Sequence, residues 1–322
     1  MFRRFLLTLT IAVAMWSAAT LVVKGQGPAT IQFVVSALDK NNNPVADLKP
    51  EEVLFSEKAG KGTIAKFEPF ALPVKVTIGV DNGSDIDSKG NPVATSALAI
   101  GNYRNGLKGF VEAFPDGTEM TLITTSPQPR MVVKASTDRA TILRGLNGFA
   151  PENERPRFTD TLVEYSQRLE KETKDSKFKN YVPIMLMVST AANESSSYQN
   201  AEVQKAINFL AQRRVKLYVT VNSTKNGDGA ATADLNTNRQ AIISIPATKA
   251  MNGRYESLAI FNRLDTLLPE MGKELADYAK RLGTQYMVTV QRAGTGPVEG
   301  VAIEIAREGL TGSVSLDGYF PR

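Results

Sequence analysis

The chain has no cysteine and no histidine among its 322 residues, and its single tryptophan is Trp16. The missing cysteine removes disulfides, thiol nucleophiles and thiolate zinc ligands together. The missing histidine removes the side chain that most often serves as a general base near neutral pH, and the usual nitrogen ligand for zinc. Any metal bound by side chains must therefore be a hard cation held by oxygen. Net charge of one sign is also scarce. The formal +5 includes Arg3, Arg4 and Lys24, which leaves +2 over the remainder. With no Lys/Arg cluster interleaved with aromatics, nucleic acid is not an expected partner.

Apolar material, by contrast, is plentiful. At 42% hydrophobic residues the chain has enough for a sizeable core, and its length corresponds to roughly two domains of ~150 residues. Residues 1–28, MFRRFLLTLTIAVAMWSAATLVVKGQGP, place two arginines before an apolar run over 5–23. That is the plan of a secretory signal peptide, here assigned to 1–27. The run is close to the ~20 residues that span a bilayer, so an uncleaved anchor is the alternative. No cysteine follows it, which excludes a lipid-anchored form.

Residues 28–72 read as short strands (31–37, 53–56, 63–67) divided by Asn/Pro/Gly punctuation, forming an N-terminal β unit. Over 73–291 the rhythm changes to strands alternating with helices. Strands are expected at 75–80, 120–124, 131–134, 182–188, 215–221 and 285–290, and helices at 97–114, 137–146, 161–172, 200–213, 240–251 and 264–282. The continuous apolar strands at 75–80 and 182–188 are of the kind buried on both faces of a parallel sheet. The predicted fold class is α/β, a doubly wound, mostly parallel sheet with helices on both faces and a small flanking β domain. Residues 292–322 return to β at 301–305 and 313–316, and are expected to pair with the N-terminal unit. Ser176 and Lys179 stand at Ser-x-x-Lys spacing within a charged helix end, which reads as a solvated face.

The order of elements resembles a von Willebrand factor type A domain, and more narrowly the exported bacterial group described as von Willebrand factor A-related in Acidobacteria. The likeness is carried by VSALDKNNNPVADLKPEEVLFSE, MTLITTSPQPRMVVKASTDRATILRGLNGF, LGTQYMVTV and SLDGYFP, and extends over residues 30–322. It implies a Rossmann-type fold, and a metal-ion-dependent adhesion site built from Asp-x-Ser-x-Ser after the first sheet strand, a later Thr, and an Asp after the fourth strand.

Residues 74–87, VKVTIGVDNGSDID, carry the first of these positions. Asp81 matches the first Asp. Gly83 falls at the first Ser, and Asp85 at the second. The Thr position maps onto Thr159 or Asp160, with helix phase favouring Asp160. Ser189 and Thr190 stand where Ser/Thr-Asp-Gly would be, so the last Asp is missing. Mg²⁺ demands six oxygens in octahedral array. Glycine supplies no side-chain oxygen, and the expectation is that the standard site has degenerated and no cofactor is held.

Two alternatives remain at this stage. Asp81, Asp85, Asp87 and Asp160 form a looser oxygen site for Ca²⁺ or Mg²⁺, or the acids are structural, with Asp81 accepting backbone N–H groups in its turn. A helix–loop–helix calcium site at DIDSKGN is disfavoured by Lys89 and by the lack of a closing Glu. Tyr255, Tyr286 and Tyr319 read as packing residues. Asn193 and Asn222 open glycosylation triplets that matter only in a eukaryotic secretory setting.

The expected function is non-enzymatic recognition of a protein or cell surface by an exported, periplasmic or extracellular chain. It would act through loops 82–93, 151–160, 191–200 and 222–238, with Asn82, Gly83, Ser84, Thr159, Ser189 and Thr190 on the rim. Contact with the membrane is expected only through the N-terminal segment. The alternative from another class is a cell-envelope hydrolase using Asp160 with Glu164, or Asp81 with Asp85, as paired carboxylates.

Overall fold

The computed structural model describes residues 29–86, 92–93, 97–174, 181–222 and 238–319, with the backbone alone at 85–86, 92–93 and 97–98. The leader, Asp87, Lys89, Ser176, Lys179, Phe320 and residues 223–237 of the long loop lie outside the described residues. In chain order the elements are β1 (Thr30–Leu38), β2 (Val53–Glu57), β3 (Gly60–Lys61), β4 (Thr63–Phe70), β5 (Val74–Val80), β6 (Asp85–Ile86), β7 (Pro92–Val93) and α1 (Ala97–Ala113). There follow β8 (Glu119–Thr124), β9 (Arg130–Ser136), α2 (Arg139–Gly148), α3 (Phe158–Lys174), β10 (Val182–Thr190) and α4 (Asn200–Gln212). The series ends with β11 (Lys216–Asn222), α5 (Arg239–Ala250), β12 (Arg254–Leu258), α6 (Leu264–Gly283), β13 (Gln285–Gln291), β14 (Ala302–Ile305) and β15 (Thr311–Ser315). No described helix is long and apolar enough to cross a membrane.

Six strands form the main sheet in the order β12-β11-β10-β5-β8-β9. All neighbours are parallel except β9, which runs antiparallel to β8 at one edge. All nine residues of β10 are buried, as a strand in the middle of a doubly covered sheet must be. Its even and odd residues feed separate cores. Ile184, Leu186 and Val188 join Val76, Ile78 and Val80 beneath α1, α2 and α6. Met185 and Met187 join Leu217, Val219 and Val221 beneath α3, α4 and α5. Helices α1 and α6 lie almost backbone to backbone because glycine stands at the contact. A Cβ on Gly106 would come within 2.5 Å of the Leu264 carbonyl oxygen, and one on Gly272 within 2.8 Å of that of Phe110.

The flanking unit has a four-stranded antiparallel sheet, β15-β1-β13-β4, and a three-stranded one, β14-β2-β3. Between them lies a core of Phe33, Val35, Val53, Phe55, Val288 and Val290. Strands from both ends of the chain are interleaved, since β15 pairs with β1 and β14 with β2. The sequence groups residues 285–290 with the α/β unit, but β13 lies in the flanking sheet between β1 and β4. Its alternation explains this placement: Tyr286, Val288 and Val290 face the flanking core while Met287 and Thr289 are half-exposed. A strand of the main sheet would be apolar on both sides. Strand β12 has no counterpart in the sequence reading, because a half-exposed edge strand with only Leu258 buried leaves a weak hydrophobic signal.

The connection from β5 runs to β8 on one side, and the chain later returns to β10 on the other. The carboxyl ends of β5 and β10 therefore flank the crevice where strand order reverses, which is the usual ligand position in open α/β sheets.

Candidate functional site

Asp81 follows the last residue of β5 and is fully buried. Its backbone N–H continues the ladder to the Val188 carbonyl at 2.8 Å. Its carboxylate is saturated by donors. Gly83 N–H reaches Oδ1 at 2.9 Å, while Thr190 N–H (3.0 Å), Thr190 Oγ1 (2.7 Å) and Ser189 Oγ (3.3 Å) all converge on Oδ2. Burial pushes the carboxyl pKa above its ordinary range, against the lowering pull of the Thr190, Gly83 and Ser189 donors. The phenol of Tyr103, on α1, is buried without a hydrogen-bond partner among the described residues. Burial, and secondarily the Asp81 charge, push its pKa well up.

Residues 150–156 close over this turn. Asn82 Nδ2 donates to the Ala150 carbonyl at 3.0 Å, and its Oδ1 accepts from Ser126 N–H at 3.1 Å. Ser84 Oγ donates to the Glu152 carbonyl at 2.5 Å, and Ser126 Oγ to that of Glu154 at 2.9 Å. Asn82 and Ser84 are thus buried fasteners of the loop, at 1% exposure each. Gly83 is pressed against the same segment: a Cβ there would lie 2.6 Å from Pro156 N and 2.9 Å from the Glu154 carbonyl oxygen. This is why glycine stands where the resemblance calls for serine. Restoring that hydroxyl as Gly83→Ser is expected to cost about 1–3 kcal/mol through overpacking, read as a lowered urea midpoint. A variant at wild-type stability would mean that residues 154–156 give way freely.

Thr159 and Asp160 lie in the first turn of α3, which begins three residues earlier than the sequence predicts. Both are committed to the segment after β10. Thr159 N–H (2.9 Å) and Thr159 Oγ1 donate to the carboxylate of Glu194, which also accepts from Ser196 Oγ at 3.0 Å and pairs with Arg239 Nε at 3.1 Å. Asp160 Oδ1 accepts Ser197 N–H at 2.8 Å and Tyr198 N–H at 3.2 Å. Its Oδ2 accepts Ser197 Oγ at 3.1 Å and faces Arg157 Nη1 at 3.2 Å. Glu164, one turn further on, is half-buried, and burial followed by the Asp160 charge raises its pKa.

The candidates therefore divide. Asp81, Ser189 and Thr190 come together at the ends of β5 and β10. Asp160 and Thr159 serve the loop leading to α4. Asp85 falls in the short β6, and its side chain lies outside the described residues. Glu194 is absent from the sequence reading, although its side chain is 2% exposed and receives four contacts. The available signal was an acid four residues beyond the most apolar strand, within AANESSS.

A divalent ion needs free oxygens. Asp81 and Asp160 offer no carboxylate oxygen that lacks a donor, Gly83 offers no side-chain oxygen, and among the described residues no group of three Asp or Glu side chains could hold an ion. The donor set does not fit octahedral Mg²⁺.

No protein-family model and no curated protein matches the chain. Among solved structures it is similar to a von Willebrand factor type A protein from Catenulispora acidiphila, with TM-score 0.47 and 10% identity over 91% of this chain and 74% of that one. It is also similar to the conserved hypothetical protein BatB from Bacteroides thetaiotaomicron, with TM-score 0.44 and 11% identity over 63% of this chain and 98% of that one. A third is proximal thread matrix protein 1 from the mussel byssus, solved with zinc occupying its MIDAS motif, with TM-score 0.43 and 15% identity over 70% of this chain and 48% of that one. The chain thus spans about half the length of the mussel protein.

Proposed function

We propose that this chain is an exported recognition module of von Willebrand A-like fold. It binds a protein or cell-surface partner through the loops at the carboxyl ends of β5 and β10, with a degenerate adhesion site that holds no divalent ion. The reading rests on one observation above all: both oxygens of the Asp81 carboxylate are taken by internal donors. Where the mussel protein has a zinc-occupied motif, this chain would use the same rim as a rigid platform. The exposed positions Pro151, Asn153, Glu154, Asn193, Ser195 and Ser197 surround it, and loops held on a rigid scaffold are where binding concentrates.

Calorimetric titration of the purified chain with Mg²⁺, Ca²⁺ and Mn²⁺ is expected to give no saturable heat. Saturable heat that disappears in Asp81→Asn would overturn this reading and favour a metal-dependent adhesion module. Photo-crosslinkers placed at Asn153 and Asn193 are expected to capture the same surface partner with and without EDTA. Labelling equal to that from a position on the opposite face of the molecule would remove the rim from the proposal.

A further inference from the structure

Helix α5 is turned inside out relative to its neighbour. On α4 the buried residues are Val203, Ala206, Ile207 and Leu210, and the exposed face is mostly polar, as packing on a sheet requires. On α5 the residues against the sheet are Gln240, Ala241, Ser244, Ala247 and Thr248. Their polar groups are absorbed locally: Gln240 Nε2 donates to the Ala192 carbonyl at 2.6 Å, Ser244 Oγ to that of Gln240 at 2.5 Å, and Thr248 Oγ1 to that of Ser244 at 2.8 Å. The isoleucines go outward instead, with Ile242 and Ile245 each 52% exposed. Beside them runs β12, an edge strand of the main sheet. We propose that this edge is a homodimer interface, in which two copies join β12 to β12 antiparallel about a two-fold axis and bury Ile242 and Ile245 between α5 and its counterpart.

Spacing and direction both point to a second copy. Helix α5 lies across β11 and β12, with α4 on its inner side. Strands repeat every ~4.8 Å, so an axis half a spacing beyond β12 sets the two α5 helices about 10 Å apart, the distance at which helices pack. Ile243, on one flank of α5, is half-buried against the core shared with α3 and α4. At about 3.6 residues per turn, Ile245 stands on the opposite flank, turned toward the open edge, and Ile242 lies one turn before it on the same side. The apolar strip therefore faces the place where a second α5 would lie.

Charge chooses the register. Arg254 and Glu256 project on the α6 face of β12, where Arg254 meets Glu256 at 2.7 Å and Glu270 of α6 at 2.8 Å. Tyr255 packs on the α5 face. Antiparallel pairing centred on Tyr255 sets Arg254 opposite the partner's Glu256, and Glu256 opposite the partner's Arg254, an arrangement of opposite charges that stabilises a strand pair. Pairing centred on Glu256 would oppose two glutamates. The edge is thus self-complementary in one register, which is the property an isologous two-fold contact needs. Exposed sheet edges are ready templates for such pairing.

The test is sedimentation velocity of the purified chain over a concentration series. A reversible dimer is expected. Ile242→Glu/Ile245→Glu should weaken it by about a hundredfold or more, since four half-exposed isoleucines leave the contact and four charges enter it. Both side chains point out of the monomer, so the variant should melt as wild type does at dilutions where both are monomeric. The register is read separately. Because the chain has no cysteine, a single Tyr255→Cys should close a symmetric intermolecular disulfide under mild oxidation, and Glu256→Cys should not. The proposal is overturned if wild type stays monomeric throughout the series, if the glutamate variant dimerises as wild type does, or if Glu256→Cys cross-links as readily as Tyr255→Cys. A monomer that sediments with phosphatidylglycerol vesicles, and loses this in the glutamate variant, would also overturn it and give the isoleucine face to lipid.

Discussion

Asp81→Ala is expected to destabilise the fold by about 4 kcal/mol or more, with no dependence on added metal. Three donors would lose this acceptor at once in a buried place, the amides of Gly83 and Thr190 and the hydroxyl of Thr190, while the Ser189 hydroxyl would keep the Thr190 carbonyl at 3.2 Å. Each such group costs about 1–3 kcal/mol when left unsatisfied, and only a short list of mechanisms reaches this range. In a domain of this size that corresponds to a melting temperature lower by ~10 °C. Asn at the same position would be an incomplete repair. Its carbonyl can accept from one side, but its amide would point donors at donors. If Asp81 instead held an ion, the two measurements would exchange sizes. Wild type would then melt lower in EDTA, and the alanine variant would lose little in the absence of metal.

Glu57→Ala is expected to cost a further large sum, about 3–5 kcal/mol, in the flanking unit, because it strands a buried guanidinium. Arg292 and Glu57 side chains are 0% and 1% exposed. Arg292 Nε at 3.0 Å and Nη2 at 2.7 Å both donate to Glu57 Oε2, and Gly294 N–H at 3.2 Å occupies the other oxygen. The double variant Glu57→Leu/Arg292→Met should recover most of the loss, since exchanging both charges for apolar groups of similar volume is often neutral. The pH dependence has a defined sign. Burial pushes Glu57 up, but the Arg292 and Gly294 hydrogen bonds outweigh it and hold the pKa below the ordinary 4.5. The stability it contributes is therefore complete above about 4.5 and is lost as pH falls through the lower folded value. Denaturant melts at pH 7 and pH 3 should show wild type losing this contribution and the double variant keeping its stability. A double variant as unstable as Glu57→Ala would mean that the pair does more than neutralise itself.

Much of this architecture is legible in the residues themselves. The uninterrupted apolar run of β10 could only be a strand covered on both sides, and the helical spacing of Tyr103, Leu107, Phe110 and Phe114 could only serve a core-facing helix. The placement of β13 was not legible by order along the chain, because a strand following a helix reads as one more α/β repeat. Its alternation of inward and half-exposed side chains carried the correct information. At the site, an acid at a strand end could be recognised from sequence, and so could the want of a fourth-strand aspartate. The contact between Thr159 and Glu194 could not, because it joins residues 35 apart through the curvature of two loops. Nor could the reason for Gly83, which lies in the backbone of residues 154–156 pressing against it.

The interleaving of the flanking sheets fixes an order of events. Strand β1 has β13 on one side and β15 on the other, so Thr30 finds its neighbour only at Gln291. A ribosome delivers the amino end first. Strand β1 must therefore wait, with both of its edges open, until the whole α/β unit has been made, and closure of so long a loop is slow. Open edges of this kind invite pairing with other chains. The newly made protein thus passes through a sticky adolescence in which its α/β half is complete while its β half is still soliciting partners.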